Sequence, residues 1–289
     1  MPEGFKNILF RHIAVAIDCS PHSMASLAAA AELAKLMQAE LTGIFVEDIN
    51  LLRMAELPFT HEIRIYTSEP EKIDPSCLER SLRLQAREAE AALEHYAGQF
   101  MLRHSFKVRR GMVPAEVMSA STEADLLVLG RSGRSPGCRK GLGSTVKSAL
   151  AGNAKNILIM RTGFPPSGES MLVLYDGSEA SGAALRIARS LLQAGGELHI
   201  IILPKTGPDV QIIEKKLSEI VPADMPGAEL HVLPPGLDDS AVLARYIHMA
   251  GSGLVVLSDR MSLPAETVHS LIGAIAYPVL LVRGPAGVP

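Results

Sequence analysis

IAVAIDCS, residues 13–20, is the stretch on which the fold turns. Ile13 through Ile17 are apolar without a break. A run that short, closed by Asp18-Cys19-Ser20, reads as a strand covered on both faces, and such strands belong to parallel sheets flanked by helices. Ser20 and Pro21 then supply an N-cap and a first-turn proline, and the alanine-rich stretch behind them continues as a helix. An aspartate therefore stands at the carboxyl end of a strand, just before a helix starts.

The same plan returns later in the chain. IAVAIDCS aligns with MLVLYDGS at 171–178, AELTGIFV at 39–46 with GELHIIIL at 196–203, DLLVLG at 125–130 with GLVVLS at 253–258, and NILIMR at 156–161 with PVLLVR at 278–283. Internal repetition sets how many sites to expect, and a chain of 289 residues is long enough for two ordinary domains. GFPPSGES, 163–170, is rich in Pro, Gly and Ser and reads as the linker. The expected organisation is a domain at 1–162, a linker at 163–170 and a second domain at 171–289. Strand runs alternate with helical patterns in the first copy, so each domain is predicted to be α/β, with a doubly wound parallel sheet in the order 3-2-1-4-5. Ser76 with Glu79 predicts a capping box, and Leu78, Leu82, Ala86, Ala89, Leu93, Tyr96 and Phe100 form a core-facing stripe on the helix that follows. Residues 51–75, with Pro58, Pro70 and Pro75, read as a long connection. NILIMR and PVLLVR read as apolar edge strands through which the two copies pack in a pseudo-dimer.

Hydrophobic residues make up 47% of the chain and charged residues 20%, the composition of a globular protein, and a net charge of −3 with no Trp argues against a general nucleic-acid binder. Nothing approaches an apolar span of membrane length, and the N-terminus lacks a signal-peptide pattern, so a cytoplasmic protein is expected. Cys19, Cys77 and Cys138 have no CxxC or Cys/His spacing, which fits a reducing compartment. No metal ligands are assigned.

The chemistry concentrates in GRSGRSPGCRKGLGS, 130–144, with five glycines, four basic residues and no acid. In an open parallel sheet the ligand lies beyond the carboxyl ends of the strands, where the strand order reverses. With the order above, Asp18 and this loop face one crevice. The loop runs into a helix at Ser144, whose first N–H groups and positive dipole end form an anion site. Gly133 and Gly143 permit close approach of backbone to phosphate, Ser144 and Thr145 add hydroxyl donors, and Arg131, Arg134, Arg139 and Lys140 add positive charge. A polyphosphate fits. There is no GxxxxGK[ST], and Gly141-Leu142-Gly143 is a misplaced fragment of a dinucleotide fingerprint.

The spacing Gly130-x2-Gly133-x9-Gly143-Ser144, with IAVAIDCS and ADLLVLG before it, resembles the nucleotide motif of the universal stress protein family, and the two copies resemble its tandem form. The resemblance implies a Rossmann-like fold and binding of ATP, AMP or ADP, with or without magnesium. Carried over by position, it implies a site of Ala16, Ile17, Asp18, Val46, Leu129, Gly130, Arg131, Gly133, Gly143, Ser144 and Thr145. Asp18 would meet the adenine or ribose side, Val46 the base, and the glycines with Ser144 and Thr145 the ribose and phosphates. Cys19 departs from the family, which commonly has glycine there, and its methylene is a candidate for crowding the nucleotide.

In the second copy Ser258 stands for Gly130, Met261 for Gly133, Ala265 for Gly143 and Glu266 for Ser144, in a loop six residues shorter. A carboxylate at that helix start repels phosphate. Asp176-Gly177-Ser178 persists, read as a strand-to-helix turn, and Asp238-Asp239 is read as a turn and helix start without catalysis. The expected function is a stress-response regulator that binds adenine nucleotide through its first domain only, with no catalytic residues and at most weak hydrolysis. A further homodimer is open. The alternatives are a slow ATPase or nucleotidyl-type enzyme, and an interaction module that needs no nucleotide.

Overall fold

The structure, a computed structural model, describes residues 10–63, 70–133, 141–152, 155–162, 168–222, 225–251 and 253–283. Most of the 163–170 linker, and Arg134, Cys138, Arg139 and Lys140, lie outside these residues. The chain divides into two compact units, one of Phe10–Arg139 with Gly143–Ala149 and the other chiefly of Leu150–Pro289.

The N-terminal unit runs β1 (His12–Ala16), α1 (Pro21–Met37), β2 (Glu40–Asp48), α2 (Ile49–Glu56), β3 (His61–Ile63), β4 (Pro70–Lys72), α3 (Pro75–Phe100), β5 (His104–Gly111), α4 (Val113–Ala120), β6 (Leu126–Gly130) and α5 (Ser144–Ala151). Its main sheet has the order β5-β2-β1-β6 and every pair is parallel. In strand-count terms this is 3-2-1-4, with the order reversing at β1. Ile13, Val15 and Leu126 to Val128 are fully buried, as strands covered on both faces require. Small residues let the helices lie close. Ala29, Ala30, Ala31 and Ala34 are buried on α1, and a Cβ at Gly43 of β2 would come within 2.8 Å of Leu93 on α3.

Two local expectations are corrected. The cap of α3 is Asp74, whose Oδ1 accepts the Ser76 N–H at 2.9 Å and the Ser76 hydroxyl at 2.8 Å; Pro75 occupies the first turn. Glu79 instead pairs with Arg83 and Arg110, at 3.1 and 3.3 Å. The 51–75 connection carries structure: it contains most of α2 and the antiparallel β3–β4 pair. Asp48 starts α2 by accepting the Asn50 N–H at 2.9 Å.

The C-terminal unit runs β7 (Asn156–Met160), β8 (Ser170–Tyr175), α6 (Glu179–Leu191), β9 (Glu197–Ile202), α7 (Asp209–Ser218), β10 (Ala228–Val232), α8 (Ser240–Ala250), β11 (Leu254–Ser258), α9 (Ala265–Ala274) and β12 (Val279–Val282). The parallel order β10-β9-β8-β11-β12 is 3-2-1-4-5 in full. β7 adds antiparallel to β12, with Val279 opposite Ile159 and Leu281 opposite Ile157. Arg283, just past β12, secures this corner: it donates to Asp259 at 2.8 Å, to the Leu150 carbonyl at 2.9 Å and, through its backbone, to Asn156 at 3.0 Å. Asp239 caps α8 through the Ala241 and Val242 N–H groups.

Candidate functional site

The site begins where β1 leaves its sheet. The Ile17 N–H still bonds the Ile44 carbonyl, at 2.9 Å. Beyond it the chain turns sharply, with Cys19 at φ +58°. That region is sparsely populated by residues carrying a Cβ, which accounts for the preference for glycine here; Gly177, the counterpart in the C-terminal unit, has φ +75°. The turn is held by Asp18, whose Oδ1 accepts the Ser20 N–H at 3.0 Å, and by Ser20, whose hydroxyl accepts the Ser23 N–H at 3.2 Å. Among the described residues Oδ2 of Asp18 has no hydrogen-bond partner. The Cys19 thiol donates to the Gln85 carbonyl at 3.5 Å, toward α3, and Cys19 is not part of the cavity wall.

The glycine loop closes on this turn. A Cβ at Gly130 would meet the backbone of His22 at 3.0 Å and of Ser23 at 3.1 Å, so this glycine lets the end of β6 touch the start of α1. A Cβ at Gly133 would lie 2.9 Å from Asp18 Oδ2, which brings the loop and the aspartate together as the spacing predicts. The Gly143 N–H bonds the Arg131 carbonyl at 2.9 Å, and the Gly143 carbonyl accepts from Lys147 at 3.0 Å. Gly143 is therefore the N-cap of α5. The N–H groups of Ser144, Thr145 and Val146 have no acceptor within the helix and stand at the positive end of its dipole.

Between these groups lies a cavity of about 650 Å³, contained within the N-terminal unit. Its wall includes Ala16, Ile17, Asp18, Val46, Leu129, Gly130, Gly133, Gly143, Ser144 and Thr145. Arg131 is buried and stays out of the wall, serving through its backbone carbonyl on Gly143. Sequence reading missed the opposite side: Phe45 and Asp48 at the end of β2, Asn50 and Leu51 of α2, Leu82 and Gln85 of α3, and Val113, Pro114 and Val117 around the start of α4. Leu82 corrects the assignment of the α3 stripe to core alone, since it is buried and also lines the cavity. The parallel β2–β5 register, which carries both strand ends to one edge, is the signal that locates these residues.

At the corresponding place in the C-terminal unit the aspartate is satisfied by protein groups. Asp176 accepts from the Ser178 N–H at 3.0 Å and the Ser178 hydroxyl at 2.6 Å, and its other oxygen accepts the Ser262 N–H. Burial of Asp176 opposes its charge, but the Ser178 and Ser181 hydroxyls and the Ser262 and Ser178 N–H groups outweigh it and hold the carboxyl below its ordinary range. Met261 and Leu263 are buried, and Glu266 lies in the first turn of α9.

No curated protein matches the chain. Among solved structures, a universal stress protein from Archaeoglobus fulgidus is similar over 96% of this chain and 97% of its own, at 19% identity and a TM-score of 0.71. A putative universal stress protein from Pseudomonas aeruginosa is similar over 95% and 94%, at 14% identity and a TM-score of 0.56. At such identities these likenesses speak to the fold, which extends over nearly the whole chain. The family model described as "Universal stress protein family" matches residues 9–161, a span that holds every wall residue of the Asp18 cavity. The chain belongs to the universal stress protein family.

Proposed function

We propose that the N-terminal unit binds an adenine nucleotide, ATP, ADP or AMP, and that occupancy is the signal this protein conveys in a stress response. One observation carries the reading: a carboxylate oxygen with no partner among the described residues and a glycine-capped helix N-terminus face the same 650 Å³ cavity. That volume falls within the roughly 300–1,000 Å³ of small-molecule sites. Asp18 offers an acceptor for ribose or adenine donors. The Ser144 to Val146 N–H groups and the Ser144 and Thr145 hydroxyls offer donors to phosphate, without a side chain at Gly133 or Gly143 to intervene. Ile44, Phe45 and Val46 supply an apolar wall for the base.

The two copies act as two domains joined through 163–170, and only the first binds. The satisfied Asp176, the buried Met261 and Glu266 at the start of α9 support this asymmetry.

The site is built to hold, not to cut. Its wall carboxylates, Asp18 and Asp48, sit at the ends of β1 and β2, and none of the described wall residues on α5 is acidic. Donors that stabilise ground-state phosphate as well as the transition state improve binding without raising turnover. Mass spectrometry of gently purified full-length protein tests the reading. Adenine nucleotide retained at one per chain is expected; absence of nucleotide together with no uptake on titration favours an interaction module. Phosphate release near roughly 10 per second, a typical enzyme rate, would favour the enzyme alternative.

A further inference from the structure

A second cluster with chemical potential lies in the C-terminal unit, away from the strand ends. His199 is on β9, and Glu229 and His231 are on the neighbouring β10. The parallel register sets Glu229 opposite His199, and residues two apart on a strand share a face, so the three side chains project to one side of the sheet. His199 Nδ1 lies 3.3 Å from His231 Nε2 and 3.4 Å from Glu229 Oε2, and His231 Nε2 lies 3.8 Å from Glu229 Oε2. The in-plane point equidistant from the corners of this triangle is about 2.0 Å from each, so a tetrahedral ion just off that plane is held at slightly more, within reach of a zinc–nitrogen or zinc–oxygen bond.

Hydrogen bonding alone serves these groups poorly. With the proton on His199 Nε2, Nδ1 can accept the His231 Nε2–H at 3.3 Å, but the Glu229 oxygen 3.4 Å from that same lone pair then receives no proton from His199. A cation takes all three. The rest of the surroundings fits a ligating histidine. Glu197 Oε2 stands 3.6 Å from Nε2, on the far side of the His199 ring, where a carboxylate favours the tautomer that leaves the Nδ1 lone pair free for metal. A side chain at position 251 would come 3.2 Å from the same Nε2, and the residue there is glycine. His199 is a rigid anchor, with its side chain 8% exposed, while Glu229 at 64% leaves the site open to ions from solvent.

We propose that His199, Glu229 and His231 form a binding site for a zinc-class divalent cation. Two imidazoles and one carboxylate favour zinc and its borderline neighbours over magnesium and calcium, which prefer oxygen ligands. Three protein ligands leave a fourth tetrahedral position for water or a small ligand. His231 also lines an adjoining cavity of about 380 Å³ with Ile201, Tyr246 and Met249, so a ligand on that position has room beside it. The site is separate from the Asp18 cavity, and metal uptake requires no nucleotide.

The test is calorimetric titration of zinc chloride into chelator-stripped, full-length protein that carries no polyhistidine tag, with metal analysis of the dialysed complex. One zinc per chain is expected, with no comparable heat from magnesium chloride. His231→Ala and Glu229→Gln, changes at the open side of the site, should each weaken zinc by about tenfold or more. Glu197→Gln, which leaves all three ligands in place, should weaken it by about tenfold. Circular dichroism and the unfolding midpoint of each metal-free variant establish that the fold persists. Cobalt(II) should give the intense visible absorption of a tetrahedral site in the native protein and lose it in His231→Ala. No zinc uptake by the native chain, or uptake of equal affinity in folded His231→Ala and Glu229→Gln, overturns the proposal.

Discussion

Gly130 and Gly143 belong to the same loop but answer to different forces. At Gly130 an added Cβ meets His22 and Ser23 main chain at 3.0–3.1 Å, and main chain does not yield cheaply. Gly130→Ala is therefore expected to destabilise the N-terminal unit by about 1–3 kcal/mol, read as a lower urea midpoint. At Gly143 the nearest protein atoms, Arg131 O and Ser132 Cα, would be 3.5 Å from the Cβ, which is ordinary contact. Gly143→Val should cost about 1 kcal/mol or less as a poorer N-cap, yet place two methyl groups where phosphate is proposed to lie. Its expected signature is a folded protein with nucleotide affinity lowered tenfold or more. At this scale the motif was legible because glycines are needed where backbones meet, and spacing records that need. Which glycine is required by packing and which has room for a side chain was not legible, since spacing alone records the same residue at both positions. The bond from the Gly143 N–H to the Arg131 carbonyl was hidden for a related reason: a carbonyl is a group any residue possesses.

Elements that follow a single period were read directly. The fully apolar runs at β1, β6, β8 and β11 became buried parallel strands, and the repeat placed them in matching order. α2 and the β3–β4 pair were not read, because elements of eight and three residues show too little periodicity to stand out among prolines. The Asp74 cap was missed because Ser76 and Glu79 satisfy a pattern that Asp74-Pro75 satisfies in fact.

Two predictions belong to this scale. Asp176 joins the β8 end to α6 and to the loop after β11, so Asp176→Ala should destabilise the C-terminal unit by about 2 kcal/mol near neutral pH, the worth of hydrogen bonds to a charged group. Its folded pKa is lowered from 3.8. The contribution is therefore present above that value and is lost as pH falls through the folded one, so the gap between native and variant urea midpoints should narrow below about pH 4. A gap that persists into acid would mean the charge is not the source. Arg283→Ala removes the ties to Asp259 and Leu150 and leaves a largely buried carboxylate; a loss of about 3–5 kcal/mol is expected in chemical unfolding.

At the scale of the whole molecule, one plan was written twice and then made to differ. The N-terminal copy has a carboxylate oxygen with no partner among the described residues and a glycine-capped helix; the C-terminal copy satisfies its aspartate and buries Met261 at the position that aligns with Gly133. The difference between the copies was legible from six missing residues and from Glu266. The His199, Glu229 and His231 cluster was not, because the β9–β10 register and no spacing rule brings residues some thirty positions apart together. The central claim, that this asymmetry confines nucleotide to one copy, is tested most directly by calorimetric titration of ATP into the full chain and into its Gly143→Val variant. One site per native chain, with binding lost in a folded Gly143→Val protein, is the predicted result. Two equivalent sites in the native chain, or undiminished binding in the variant, would contradict it.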